Sequence, residues 1–366
     1  MAGRKSVNRV RQEDVAQMAG VAISTVSRVF NNPNRINPQT AERVRDAAKV
    51  LGYTVKSANP MPEGNPHRTH GLLMLVVKDT ADGTASQILK GAQAAALESN
   101  RSVGIMETGQ SVKRSGQMLD TLTDNVDGVI LATDQIDVGT IQRISRKLPL
   151  VVLNRPVEQV RSVVPNPLIG VSRTLLLLQR YNLHSIVYVS SLKDSWANRS
   201  RWESLRMLAH GMGFSIRQIG AVSPSVEGGF QAAIALEGML PDVIIAFNDV
   251  IASGIVLRLA ADGIDVPGRT SVVGFDNSLT APVVSPALTT IRIPRAQLGQ
   301  VGVQMLLGES GSVSLNLRDA RFLSSLAEHG LTARLHDSSS WLDDEKLITE
   351  IHTSLVVRGS VGAKLS

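Results

Sequence analysis

The sequence predicts an α/β protein in which a small all-α domain precedes a body of two doubly wound parallel sheets. Three observations lead to this fold class: the positive charge is confined to the first 56 residues, two short helical patterns there flank a glycine, and beyond His70 short apolar runs alternate with longer helical patterns. Such alternation is typical of buried parallel strands joined by crossover helices. We therefore expect three regions: a helical domain (1–56), a linker (57–70) and the body (71–366).

Length and composition exclude several classes of protein. The chain has 366 residues, 43% of them hydrophobic, which is enough for two or more buried cores. No apolar stretch approaches the roughly 20 residues that a membrane span needs, and no apolar segment follows the basic amino terminus as in a secretory signal. We expect a cytoplasmic protein with no membrane partner. The absence of cysteine excludes disulfides and thiolate metal sites, and we expect no metal and no cofactor.

The first 56 residues carry the whole net charge of +6. They contain ten Lys and Arg against four Asp and Glu, whereas the remaining residues hold 28 of each sign. A basic module on a neutral body is the electrostatic pattern of nucleic-acid binding, because neutralising phosphates releases condensed counterions. Charge alone fits a solvated basic tail equally well, so the interpretation depends on the pattern within this segment.

Two short helices are predicted on either side of Gly20. The first runs from Gln12 to Met18, and the second occupies residues 22–30, where Val26 and Val29 share one face. The opposite face of the second helix is small, polar and cationic. A third helix should begin after Asn37, which is suited to capping, with proline at the first helical position, and extend to about residue 51. Two helices joined by a tight turn and braced by a third make a helix-turn-helix.

The stretch 14–31, DVAQMAGVAISTVSRVFN, resembles the DNA-reading segment of lactose-repressor-type (LacI/GalR) regulators, and the resemblance continues through residues 40–44 and 51–53. It implies that Ile23, Ser24 and Arg28 lie in the major groove, with Arg28 suited to a bidentate contact with guanine. The contacts implied near the phosphates are Thr25, Ser27, Asn31 and Thr40. Tyr53 either packs beneath the helices or contacts the DNA backbone. The structural alternatives are a core position for Ile23 and a helix-surface position for Thr25.

The linker departs from the family pattern. Relatives usually continue into a short hinge helix with a leucine that wedges into the minor groove, but residues 56–66, KSANPMPEGNP, contain three prolines and a glycine. The position of the wedging leucine falls on Pro62, with Met61 beside it. These side chains can serve as wedges, although a semi-rigid extended tether is the interpretation that the composition favours.

Polar residues follow the predicted strands of the body. Strands are expected at 72–77, 102–106, 128–132, 150–153, 185–189, 215–219, 243–247 and 271–275. Ligands of such sheets bind outside the carboxyl ends of the strands. The body also resembles the family's effector domain, of the type I periplasmic-binding-protein-like fold, through VDGVI (126–130), PLVVLNR (149–155), FND (247–249) and SVVGFD (271–276).

The resemblance implies five ligand contacts in the cleft between the subdomains: Asn154, Arg199, Phe247, Asn248 and Asp276. Trp196 is a further candidate, since its ring or that of Phe247 could lie against a sugar. Guanidinium, carboxylate and amide groups suit a polyhydroxylated ligand, and an aromatic ring can lie against a sugar. The structural alternatives are capping or turn closure for Asp276 and Asn248, and packing for Phe247.

Two departures leave the identity of the ligand open. DGTA (82–85) stands where relatives often carry aromatic residues, and Pro165-Asn166 replaces a common Asp-Asn pair. The resemblance fades across 308–351, which we interpret as a surface insertion rather than a partner site. It returns at TSLVVRGS (353–360), the expected closing strand.

The motifs of common enzymes are absent from the sequence. It contains no phosphate loop, no Gly-x-Gly-x-x-Gly after the first strand and no His-Glu-x-x-His, and its seven histidines are scattered. We predict a non-enzymatic, sequence-specific transcription regulator that acts as a repressor. It should read palindromic operator DNA as a homodimer, under the control of a sugar-like small molecule. The alternatives are a DNA-binding protein that has lost effector control and a sugar-binding or sugar-processing protein with an accessory DNA-binding module.

Overall fold

The computed structural model describes residues 12–31, 37–51, 70–81, 83–108, 112–191, 195–308 and 347–365. The chain divides into two compact units, Met1–Glu63 and Gly64–Ser366. The predicted linker lies outside the described residues except for His70, so the three-region division stays a prediction. No helix of the described residues is long and apolar enough to span a membrane.

The first unit contains three helices: α1 (Gln12–Ala19), α2 (Ile23–Asn31) and α3 (Pro38–Leu51). Gly20 adopts a φ of +65°, a left-handed conformation that ends α1 and that glycine adopts without strain. The side-chain oxygen of Asn37 accepts a hydrogen bond from the backbone N–H of Gln39 at 2.9 Å, which confirms the predicted cap of α3. The helices enclose a core of small side chains that includes Val15, Val26 and Val44. The predicted helix-turn-helix is confirmed.

The second unit contains two six-stranded sheets. The first sheet has the order β11-β5-β4-β3-β1-β2 and every recorded strand pair in it is parallel. Its strands are β1 (Leu72–Val77), β2 (Ser102–Glu107), β3 (Gly128–Ala132), β4 (Leu150–Leu153), β5 (Ser162–Asn166) and β11 (Ile348–His352). The helices of this subdomain are α4 (Gly83–Glu98), α5 (Val112–Leu122), α6 (Val138–Ser145) and α11 (Arg295–Leu306).

The second sheet has the order β12-β10-β9-β8-β6-β7, and only the pair β10 and β12 is antiparallel among its described strands. Its strands are β6 (Ser185–Val189), β7 (Ser215–Ile219), β8 (Val243–Ala246), β9 (Ser271–Asp276), β10 (Thr289–Arg292) and β12 (Ser354–Val356). The accompanying helices are α7 (Leu168–Arg180), α8 (Trp196–Gly211), α9 (Val226–Ile234) and α10 (Asp249–Ala261). Apolar clusters lie on the two faces of this sheet.

The chain passes between the two subdomains three times. The passages join β5 to α7, β10 to α11, and β11 to β12 through Thr353 alone. Because α11 packs on α4 and on β3, β4 and β5, it belongs to the first subdomain although it follows a strand of the second. The carboxyl ends of β5 and β11 therefore meet the second subdomain at one hinge region.

The closing segment differs from the prediction. Residues 348–352 form β11 of the first sheet, so this part of the expected surface insertion belongs to the core architecture. The expected closing strand at 353–360 is limited to Ser354–Val356. The remaining insertion, 309–346, lies outside the described residues.

Candidate functional site

Helix α2 presents its amino-terminal side chains to solvent. Val26 and Val29 are buried in the core of the first unit, whereas Ile23 is 49% exposed and Ser24 is exposed. Ile23 therefore does not occupy the core position that the structural alternative required. Thr25 and Thr40 are half-buried at the helix surfaces. An exposed, uncharged helix start of this kind is available to approach the edges of bases in a major groove.

The side chains of several residues predicted to contact DNA lie outside the described residues. The backbones of Ser27, Arg28 and Asn31 belong to α2, but their side chains lie outside the described residues. Tyr53, and the residues Met61 and Pro62 of the possible hinge helix, also lie outside them.

An ion cluster lies where the two subdomains meet at the carboxyl end of β9. Oδ1 of Asp276 lies 3.1 Å from an amino group of Arg201 and 3.0 Å from an amino group of Arg295. Arg201 comes from α8 of the second subdomain, whereas Arg295 begins α11 of the first. The side chains of both arginines are at most 10% exposed. One carboxylate thus joins the two subdomains, and buried charges of this kind depend on their partners.

Arg201 is held from several directions. Its guanidinium lies 4.4 Å from the centre of the Phe247 ring and 4.7 Å from that of Phe275, which places the cation over two aromatic faces. It also donates a hydrogen bond to the carbonyl oxygen of Phe247. The packing fixes a planar set of donors beside Asp276, the geometry that recognises hydroxyl or carboxylate oxygens.

The sequence analysis named Arg199 as the arginine of the cleft, but the arginine that pairs with Asp276 is Arg201. Ser195 caps α8 by accepting from the backbone N–H of Asn198, and this cap fixes where the helix begins. With Asn198, Arg201 and Leu205 facing inward, Arg199 falls on the exposed side. The sequence has two arginines two positions apart on this helix. Which of them faces the cleft depends on which side of the helix is buried.

Three other predicted ligand contacts, Phe247, Asn248 and Trp196, differ in how the protein holds their side chains. Phe247 stacks on Arg201 and is half-buried. Asn248 is the cap of α10, because its Oδ1 accepts from the backbone N–H of Ile251 at 2.9 Å. This is the capping alternative, although its amide N–H donors are not used by that contact. Trp196 begins α8 and lines a crevice beside Arg201.

Left-handed backbone conformations mark two of these strand ends. Asn154 follows β4 with a φ of +68°, and Asp276 ends β9 with a φ of +113°. Asn and Asp are among the non-glycine residues that adopt such values most often. Both values occur where the chain leaves a strand at its carboxyl end, the edge at which ligands of such sheets bind.

Asp249 is a functional candidate that the sequence reasoning did not single out. Its side chain is fully buried, accepts a hydrogen bond from the Thr290 hydroxyl at 2.5 Å and from the backbone N–H of Ser278 at 2.6 Å. Burial, assisted by the negative charge of Asp276, raises the pKa of Asp249 to about 7. Asp249 directly follows the capping residue Asn248, a position where an acidic residue is expected at the start of a helix. The sequence pattern therefore gives no sign that its side chain is buried.

A hydrogen-bonded chain fixes α8 against β6. The hydroxyl of Tyr188 donates to Oδ1 of Asn198 at 2.9 Å, and the amide of Asn198 donates to Ser190 at 3.1 Å. All three side chains are buried. Because Arg201 stands one turn beyond Asn198, this chain positions the guanidinium in the cleft. Among the described residues, no group of three or more His, Asp or Glu side chains converges on a point where a metal ion would be held.

Two family models match the chain. Residues 13–55 match "Bacterial regulatory proteins, lacI family", and residues 182–316 match "Periplasmic binding protein-like domain". The first covers the helix-turn-helix and the second covers most of the second subdomain together with α11.

Relatives and solved structures extend over nearly the whole chain. The HTH-type transcriptional regulator GalS of Salmonella typhimurium is 26% identical over 92% of this chain and 98% of its own length. A lac repressor dimer bound to operator and an anti-inducer is 22% identical, with a TM-score of 0.64 over 97% of this chain and all of that one. A complex of the transcriptional regulator CelR with cellobiose is 23% identical, with a TM-score of 0.60 over 96% and 100%. The chain thus combines a lacI-family helix-turn-helix domain with a periplasmic-binding-protein-like domain in its two-subdomain body.

Proposed function

We propose that the protein is a transcriptional repressor that binds operator DNA through α2 and responds to a small sugar-like molecule held at Asp276 and Arg201. The observation that carries this proposal is the pairing of an exposed, basic helix-turn-helix with a cleft whose carboxylate joins both subdomains. A ligand that engages Asp276 acts on the contact between the subdomains, and so acts on the arrangement of the body that carries the DNA-binding unit.

On the DNA side, Ile23, Ser24 and Arg28 select bases, and Arg28 reads a guanine. Thr25, Ser27, Asn31, Thr40 and Tyr53 contact phosphates and fix the orientation of the helix. In vitro selection from random duplexes identifies the preferred sequence, and gel shifts over a range of salt measure the affinity. Arg28→Ala should weaken binding to the selected duplex and relax its sequence preference.

Arg45 offers the matched control for Arg28. It is an exposed arginine on α3, so Arg45→Ala removes the same charge from the same unit without touching α2. It should weaken binding to selected and random duplexes equally and leave the preference intact. Equal loss of preference in both variants would contradict the assignment of Arg28 as a reader of bases.

We propose a homodimer as the binding species, because one helix-turn-helix makes too few base contacts for a unique genomic address. The similarity to a lac repressor dimer supports this choice. A dimer should prefer two inverted half-sites over one. If selection returns single half-sites, and the protein sediments as a monomer when bound to them, the dimer proposal fails.

On the ligand side, Asp276 accepts from hydroxyl groups, Arg201 donates to them, and Phe247 and Trp196 provide the aromatic surface. Asn154 and Asn248 border the same cleft. The chain's likeness to a regulator complexed with cellobiose supports a sugar as the ligand. A thermal-shift screen with sugars and sugar acids detects it, since a ligand that binds only the folded state raises the melting temperature by mass action. Asp276→Asn, which keeps an oxygen acceptor beside Arg201 and Arg295, should reduce that shift, and gel shifts check that this variant still binds the duplex.

A further inference from the structure

A narrow crevice lies beside Arg201 at the junction of the two subdomains. Its volume is about 20 Å³, close to what one water molecule or one methyl group requires. Nine residues line it: Pro165, Pro167, Trp196, Ala197, Ser200, Arg201, Phe275, Ile293 and Thr353. Six of these are apolar, so most of the wall presents carbon atoms.

The polar groups of the wall are largely engaged with the protein itself. The hydroxyl of Thr353 accepts from the backbone N–H of Gly170 at 3.2 Å and donates to the carbonyl oxygen of Asn166 at 3.1 Å. Both functions of that hydroxyl are therefore used. Arg201 donates to Phe247 and Asp276 and lies between two aromatic rings. Ser200 adds one further hydroxyl on α8.

Apart from the Ser200 hydroxyl and the Trp196 indole N–H, the wall would offer a hydroxyl group contacts with carbon in place of its hydrogen bonds to water. Leaving a buried polar group without a partner is costly, whereas a methyl group gains from the same burial. The crevice thus distinguishes a methyl group from a hydroxymethyl group, which is both longer and polar.

The crevice also touches the three passages between the subdomains. Pro167 lies between β5 and α7, Ile293 between β10 and α11, and Thr353 between β11 and β12. An atom seated there contacts every connection about which the subdomains can rotate. Filling the crevice is therefore coupled to the arrangement of the subdomains.

We propose that this crevice is the subsite for a methyl group, and that the ligand is a 6-deoxy sugar. Its ring hydroxyls bind Arg201 and Asp276, and its methyl group enters the crevice between Trp196 and Ile293. This inference rests on the proposed function, because it takes the cleft to be the ligand site, and it narrows the ligand to one chemical class.

Matched pairs of sugars test the inference on the full-length protein. Calorimetric titration compares L-rhamnose with L-mannose, L-fucose with L-galactose, D-fucose with D-galactose, and 6-deoxy-D-glucose with D-glucose. Each pair differs by a single hydroxyl group. In the pair whose ring stereochemistry fits, the deoxy sugar should bind about 10 to 100 times more tightly. Equal or tighter binding of the hydroxymethyl sugar would overturn the inference.

A substitution in the wall of the crevice tests whether the preference for the deoxy sugar arises there. Ala197→Ser adds a hydroxyl to the crevice and should reduce the preference to about threefold or less, since the added oxygen can pair with the sugar's own hydroxyl. Ala260→Ser, at an exposed site on α10, should leave it unchanged. An unaltered preference in Ala197→Ser would place the methyl group elsewhere and overturn the inference. If no sugar of either kind binds, both this inference and the proposed sugar ligand fail, while selection of a duplex still decides the DNA-binding proposal.

Discussion

Replacing Arg201 by alanine tests the ion cluster directly, because the chain offers Arg199 as a control two positions earlier on the same helix. Arg201 donates hydrogen bonds to Asp276 and to the backbone of Phe247 and lies over two aromatic rings. Arg199 is exposed. The two substitutions remove the same side chain from opposite faces of α8, so any difference between them reflects the cleft.

The expected loss can be estimated from the contacts. A hydrogen bond to a charged group contributes about 1.5 to 3 kcal/mol, and a desolvated cation–π contact about 2 kcal/mol. Leaving a buried carboxylate unpaired would cost about 3 to 5 kcal/mol, but Arg295 still lies 3.0 Å from Asp276. Since such contributions do not add fully, we expect Arg201→Ala to lower the free energy of unfolding by about 3 kcal/mol, roughly a hundredfold in the folding equilibrium.

Urea denaturation followed by circular dichroism measures both variants. Arg199→Ala should stay within about 0.5 kcal/mol of the wild type, as exposed substitutions usually do. Arg201→Met keeps part of the apolar stem and should recover part of the loss. The reasoning is refuted if Arg199→Ala destabilises the protein as much as Arg201→Ala does, or if Arg201→Ala has no effect.

Three further predictions concern residues around the cluster. Because the pKa of Asp249 is raised to about 7 while an unfolded Asp titrates near 4, the folded state retains a proton that the unfolded state releases. The contribution of Asp249 to the free energy of unfolding should therefore fall between pH 5 and 7, by up to about 1.4 kcal/mol per pH unit. In urea titrations, Asp249→Asn should flatten this dependence on pH. An unchanged dependence in that variant would refute the raised pKa of Asp249. A Cβ at Gly274 would lie 2.2 Å from Oδ1 of Asp249, so Gly274→Ala should cost about 1 to 3 kcal/mol, and a wild-type melting temperature would contradict the close approach. Asn248→Ala should cost about 1 kcal/mol through loss of the α10 cap, whereas Asn248→Asp should retain it; equal denaturation midpoints for the two variants would argue against capping.

Most of the strands that the sequence predicted have continuous apolar runs, whereas β7 carries Arg217 and Gln218 and follows from the alternation of strands and helices. All eight expected strands are present, and their bounds agree to within a residue. The missed strands lack that signal: β5 ends in Pro165 and Asn166, β10 begins with two threonines, and β11 carries Glu350. They lie near the hinge, where both sheets and the passages between them bury polar residues. A pattern of apolar residues identifies strands that are buried on both faces and is weak elsewhere.

The candidate site was predicted less completely than the fold. Position after a strand is a local property, so Asn154, Phe247 and Asp276 were found at strand ends. The inward face of α8 depends on where the helix begins, and a shift of two residues separates Arg199 from Arg201. The contact between Arg295 and Asp276 depends on α11 returning to the first subdomain. That return is a property of the topology, which local patterns do not contain.

The affinity of the full-length protein for its selected duplex, measured with and without the sugar recovered from the thermal-shift screen, tests the central claim most directly. If the cleft controls the DNA-binding unit, saturating sugar should change the affinity by about 5 to 150 times, corresponding to a coupling of roughly 1 to 3 kcal/mol. Asp276→Asn, which keeps an acceptor for both arginines, should still bind the duplex and lose most of the response to sugar. An affinity that stays the same at saturating sugar would contradict the account.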